Sequence, residues 1–145
     1  MRKLFASSLL CAALCLLMTG CQDQVQQLSG SYSYKISGTA IVDQDTIVLS
    51  NEIGAMDIHR ITADSAMITF NALNGPAYAT TAVVDGQNIS LAPYKRSLKE
   101  ELREFSITAK GEGRVYDETI LFIMHYSDTL NKLEADSLTM LCKKN

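Results

Sequence analysis

The chain has 145 residues, a formal net charge of −3, 47% hydrophobic residues and no tryptophan. An acidic balance of that kind excludes a nucleic-acid partner, whose phosphates require a basic face. The length suits one domain with its own core.

Arg2 and Lys3 open the chain, and Leu4 to Met18 is then apolar or small without a charge. That run is shorter than the roughly 20 apolar residues a membrane-spanning helix needs. A positive start, a brief apolar core and a small-residue exit mark a secretory signal peptide over residues 1–20. Its end, Met18-Thr19-Gly20-Cys21, resembles a bacterial lipoprotein box. The resemblance implies that the Cys21 sulfur takes a diacylglycerol, that the chain is cut before Cys21, and that the new amine is acylated. Two or more acyl chains give stable anchoring where one gives only marginal binding. Gln22, rather than Asp, follows Cys21; by resemblance to the sorting rule of enteric bacteria this implies the outer membrane.

Loss of residues 1–20 removes two basic residues and no acidic one, so 13 basic residues fall to 11 against 16 acidic, a net of −5. It also removes Cys11 and Cys15, and lipid consumes Cys21, leaving Cys142 as the one thiol. A disulfide framework and a cysteine-type zinc site are thereby excluded. Cys142 reads as a small core residue on a late strand. Residues 21–30 follow as lipidated cysteine and tether: the polar stretch Gln22 to Gly30 has no pattern. Extended, it reaches about 30 Å, at roughly 3.3–3.6 Å per residue.

Residues 31–145 read as strands. Tyr32, Tyr34 and Ile36 share a face. The same alternation recurs at Ile47/Leu49, Met56/Ile58, Ala66/Ile68/Phe70, Ile89/Leu91, Phe105/Ile107/Ala109 and Leu138/Met140/Cys142. A period of two puts one set inward and the other toward water. Asn51–Gly54, Thr62–Asp64, Asn74-Gly75-Pro76 and Asp85-Gly86 punctuate these runs as turns, the last being the sharpest hairpin signal. The expected fold is all-β, an antiparallel up-and-down barrel of about eight strands, since closure removes the edges; a β-sandwich is the alternative.

Two stretches depart from the alternation. Leu98 to Glu104 spaces Leu98 and Leu102 four apart, which predicts a helical turn or a solvated connection resting its leucines on the sheet. Thr119 to Tyr126 (TILFIMHY) is apolar on both faces, which predicts a strand covered on both sides or one face docked on a partner. Gly111-Glu112-Gly113 reads as a bend or bulge.

No catalytic motif stands out. The two histidines, His59 and His125, are in no metal-binding spacing, there is no nucleophile elbow and no phosphate loop, and the expectation is a protein that is not an enzyme and holds no metal or cofactor. An eight-stranded barrel is about wide enough to be filled by side chains or to hold one small ligand. Met56, Phe70, Phe105, Phe122, Met124 and Met140 are candidate liners, and Tyr94 and Tyr116 candidate rim residues. The same residues equally make a filled core, and about 115 residues leave little volume to spare.

The lipobox, the tether and the opening "LSGSYSYKISG", with "AKGEGRVYDETILFIMHY" as a late Gly-rich turn and strand, together resemble small lipoproteins of Bacteroidetes with a lipocalin-like (calycin-like) barrel. The lipocalin Gly-x-Trp is absent, as there is no Trp. The resemblance carries over no functional residue except Cys21. The expected function is a lipid-anchored envelope module that binds a small apolar or amphipathic ligand without catalysis. The alternative is an interaction subunit of an outer-membrane complex that meets an envelope protein partner through the TILFIMHY face.

Overall fold

A computed structural model describes residues 23–100, 103–128 and 133–145. Residues 1–20, expected to be a signal peptide, and Cys21 lie outside the described residues, as does Leu102 of the expected helical turn.

A short helix, α1 (Gln24–Leu28), precedes eight strands: β1 (Gly30–Val42), β2 (Asp45–Arg60), β3 (Ser65–Ala72), β4 (Ala77–Asp85), β5 (Asn88–Glu100), β6 (Arg103–Tyr116), β7 (Thr119–Asp128) and β8 (Leu133–Lys144). Each strand pairs antiparallel with the next, and β8 pairs with β1, so the sheet closes into an up-and-down barrel. The period-two alternation has the expected outcome. Tyr32, Tyr34, Ile36, Met56, Ile58, Ile68, Phe70, Ile107, Phe122 and Met140 all point into one core. The Asp85-Gly86 hairpin forms where its sequence places it, with Gly86 at φ +60. Cys142 is buried in that core with its sulfur 4.0 Å from Met56 Sδ. Burial pushes its thiol pKa up to about 12, as befits an inert core residue.

Three expectations are corrected. The first is the tether. Gln24 to Leu28 is helical because Val25 and Leu28, three apart, bury one face against the open base of the barrel. Asp23 caps the helix, accepting from the Val25 N–H at 3.1 Å. It also pairs with Arg60 at the end of β2. The Tyr32 hydroxyl donates to the Leu28 carbonyl at 2.8 Å and Lys144 Nζ to the Gln27 carbonyl at 2.8 Å. The helix is thus a lid on the base.

The second is the reading of Leu98 to Glu104. Leu98 to Glu100 continue β5 and Arg103 and Glu104 begin β6, in a ladder that runs to Glu100 opposite Arg103. Leu98 is buried inside the barrel as a strand residue. The local spacing of leucines loses to the ladder of hydrogen bonds on both sides of it.

The third concerns Asn51–Gly54, which is no turn, and Gly111–Gly113, which is no bend. Glu52 to Gly54 run straight through β2. Gly111 and Gly113 lie in regular register opposite Met124 and Phe122. A Cβ on Gly113 would stand 2.5 Å from the Phe122 ring, so the glycines make room for large core side chains.

Bulges set which residues face inward. Residues 50 and 51 of β2 lie opposite Ser37 alone, Ala92 and Pro93 of β5 opposite Lys110 alone, and Asp136 and Ser137 of β8 opposite His125 alone. An extra residue reverses the alternation beyond it. In β5 the inward set changes from Ile89 and Leu91 to Tyr94, Arg96 and Leu98. Pro93, which has no N–H to give a ladder, sits at that irregularity.

TILFIMHY is two-faced, and only one face is fully buried. Ile120, Phe122, Met124 and Tyr126 are in the core, Leu121 is half-buried and Ile123 is exposed.

Candidate binding site at the open end of the barrel

The end opposite α1 is uneven. The β1–β2 ladder runs out to Val42 opposite Asp45, and the β5–β6 ladder to Glu100 opposite Arg103. Between these two tall hairpins the β3–β4 hairpin is short: β2 pairs with β3 only from Gly54 onward, and β4 with β5 only as far as Ala82 opposite Leu91. The wall is therefore notched. A cleft of about 480 Å³ lies in the notch, between the β3–β4 turn and the upper parts of β2 and β5.

A charged pair floors the notch. Arg96 Nη1 donates to Glu52 Oε1 at 2.9 Å, and Nη2 donates to Oε2, so the fork is bidentate. The Arg96 side chain is 5% exposed and that of Glu52 21%. Hydroxyls of Tyr34 and Tyr78 donate to the same Oε1 at 3.0 and 2.9 Å. Arg96 Nη1 also reaches the Tyr78 oxygen at 2.6 Å and the Tyr126 oxygen at 3.4 Å. The guanidinium lies 4.4 Å from the Tyr78 ring centre and 5.7 Å from that of Tyr126.

Aromatic rings support this pair from below. Phe70, Tyr78 and Tyr94 stack with centres 5.2 to 5.9 Å apart, and Tyr34 meets Phe70 edge-on at 5.8 Å. Gly54 lets Tyr34 approach: a Cβ there would stand 2.8 Å from the ring.

The electrostatics follow from burial and pairing. Desolvation works against charge on Glu52, but Arg96 and the two tyrosine hydroxyls outweigh it and hold the carboxyl below its ordinary value. Desolvation also opposes charge on Arg96, and the bonds to Glu52 reverse that and raise its pKa. Burial pushes the Tyr34 phenol up to about 12 and those of Tyr78, Tyr94 and Tyr126 higher still. The site therefore keeps one fixed ionic form across the neutral range.

The rest of the lining is amphipathic. Ile53, Leu73, Pro76 and Leu98 give apolar surface, and Asn74, Ser97, Lys99 and Glu104 give polar groups. Leu73 is 68% exposed at the lip, where its N–H donates to the Ile53 carbonyl at 2.9 Å.

The structure does not gather the sequence-predicted site residues into one place. Met56, Phe70, Phe122, Met124 and Met140 retain no accessible surface, and Phe105 is buried too. A side chain lining a ligand-sized void would keep some, so the barrel is solid at their level. Tyr94, expected at the rim, lies inside the aromatic stack because the β5 bulge turns it inward. Tyr116 is 51% exposed, but at the last residue of β6, on the α1 side and away from the notch. Glu52, Arg96 and Tyr78 went unpredicted. A buried charge in a strand has no sequence signature of its own, since Glu52 stood in an apparent turn and Arg96 in a basic run. Among the described residues, no group of three or more His, Cys, Asp or Glu side chains is placed to hold a metal. His125 Nδ1 lies 3.9 Å from Asp136 Oδ1 at the surface.

No protein-family model and no curated protein matches the chain. Solved structures do match. EF1p2_mFAP2b bound to DFHBI is 11% identical, with a TM-score of 0.51 over 83% of this chain and 95% of that one. A redesigned beta barrel, b11L5F_LGL, is 8% identical, with a TM-score of 0.49 over 83% and 94%. The likeness is one of fold.

Proposed function

We propose that the protein is a lipid-anchored module of the bacterial outer membrane that binds a small amphipathic ligand, without catalysis, in the notch. One observation carries the reading. The barrel core is filled, while the open end holds an amphipathic cleft whose floor is an organised polar network. Convergent polar groups beside apolar surface are what small-molecule sites are made of. EF1p2_mFAP2b, with a similar fold, is seen bound to DFHBI, so a barrel of this kind can hold a ligand. The non-catalytic reading rests on the floor itself. Glu52 is locked as a carboxylate and the phenols are locked as neutral, so none of them is poised for proton transfer near pH 7. Anchoring rests on the resemblance of Met18 to Cys21 to a lipoprotein box; the kinship with lipocalin-like lipoproteins of Bacteroidetes rests on that box together with the LSGSYSYKISG and AKGEGRVYDETILFIMHY stretches.

The full chain, extracted from membranes in mild detergent and weighed under native conditions, tests both parts. A co-purified small molecule, lost in Leu73→Ser, supports the notch; a bare chain of unaltered mass from every preparation counts against it. Cys21→Ala should move the protein from the membrane to the soluble fraction. A partition that does not change removes the anchor.

A second reading, an interaction subunit of an envelope complex, is favoured by one feature. On the outer face of β7 and β8, half-buried Leu121 lies directly opposite exposed Leu141, with Ile123 beside them at 40% exposure.

A further inference from the structure

The Glu52–Arg96 pair forms the polar floor that a ligand in the notch would meet. Arg96 and Glu52 cancel through two parallel bonds. Lys99 and Glu104, opposite each other in the β5–β6 register, add one charge of each sign to the lining. The notch thus offers no net charge to a ligand at neutral pH. An anion accepting from the guanidinium at this floor would stand beside the Glu52 carboxylate, and the two like charges would repel. A cation donating to Glu52 would stand beside the Arg96 guanidinium and be repelled in the same way.

Bonding capacity remains on one side of the pair. Glu52 Oε1 accepts from Tyr34, Tyr78 and Arg96. Among the described residues, Oε2 accepts from Arg96 Nη2 alone, and Nη2 donates to Oε2 alone. A carboxylate oxygen has a second lone pair and a guanidinium Nη a second hydrogen. The Oε2–Nη2 side therefore combines a free acceptor with a free donor, next to the apolar surface of Ile53, Leu73 and Pro76.

We infer that the notch selects neutral amphiphiles whose head group donates and accepts a hydrogen bond at once, a carboxamide being the simplest case. The head N–H donates to Glu52 Oε2, the head carbonyl accepts from Arg96 Nη2, and the aliphatic body lies on the Ile53–Leu73 lip. This preference rests on the notch being the ligand site.

The test compares three probes with one tail: hexanamide, hexanoate and hexylammonium. Each is titrated calorimetrically into the full chain in phosphatidylcholine nanodiscs, with empty nanodiscs subtracted. Hexanamide should bind at least about tenfold more tightly than either ion, since bonds to a site built for donor and acceptor reject a head group that lacks one. Glu52→Gln removes the counter-charge of Arg96 and should turn the preference toward hexanoate. Equal or better binding of either ion to the unaltered protein overturns the inference and leaves the notch as a site. An unchanged ranking in a folded Glu52→Gln protein overturns it as well. Absence of binding by all three probes removes the notch as the site, and the inference with it. Should Glu52→Gln fail to fold by circular dichroism, the ranking on the unaltered protein decides, with Leu73→Ser expected to weaken all three probes without reordering them.

Discussion

The two ends of the barrel solve one problem in opposite ways. A closed sheet protects its edges but leaves the inward side chains uncovered at top and bottom. At the base, α1 lays Val25 and Leu28 over the opening and keeps its polar contacts, Asp23 with Arg60 and Lys144 with the Gln27 carbonyl, at the water-facing margin. At the notch the charges go inside: Arg96 and Glu52 lie beneath the opening, bonded to tyrosine hydroxyls and over an aromatic stack. An apolar lid is stable with little directionality. A buried polar network is directional, and it is costly whenever one member loses its partner. Apolar contact closes one end, and directional bonds order the other.

The contrast is broken most severely at Glu52. Glu52→Ala leaves the Arg96 charge buried and unpaired, and should cost about 3–5 kcal/mol in urea unfolding. Replacing both partners, Glu52→Leu with Arg96→Met, should restore most of that loss, because a buried pair exchanged for apolar groups is often neutral. If the double variant is as unstable as the single one, the pair is not a self-cancelling unit.

At the base, Leu28→Ala should cost about 2 kcal/mol, the low end for a large-to-small change, since the lid lies at the rim of the core. The barrel should stay folded, with a lower melting temperature and an unchanged notch. Gly54→Ala should cost about 1–3 kcal/mol by crowding β3 and the Tyr34 ring. Its specific mark is alkaline: Tyr34, now ionising near 12, should move down toward 10.0 as its packing loosens. A phenol titration that does not move would separate Gly54 from the site.

The smallest effect separates the two ends by pH and salt. The Glu52 carboxyl is depressed below 4.5, so its contribution to stability is complete above that pH and is lost as pH falls through the depressed value. Asp23 is also lowered, from 3.8, with Arg60 and the helix N–H groups prevailing over desolvation. Its partner Arg60 is the exposed member of the pair, and in ~1 M salt a Debye length of about 3 Å screens their attraction. Acid unfolding in high salt should therefore keep the Glu52 step and lose the Asp23 step, read by near-ultraviolet dichroism of the tyrosines.

Much of this molecule is written in its sequence. Period-two alternation identifies the inward residues of most strands, from Tyr32 to Met140, because a pleated strand has only two faces. Asp85-Gly86 marks its hairpin because both residues tolerate a positive φ. Cys142 reads as core and is core. The site was not legible. Arg96 faces inward only because two residues of β5 are opposed to one of β6, and a bulge is a relation between strands. Glu52 stands among turn formers, yet β2 continues through them with one extra residue at positions 50 and 51. The α1 helix is too short to be stable alone, and forms because an open barrel base offers its two apolar residues a surface. Local pattern fixes what each strand presents to its two faces; only the pairing of distant strands decides where the pattern shifts, and the notch and its charged floor lie at those shifts.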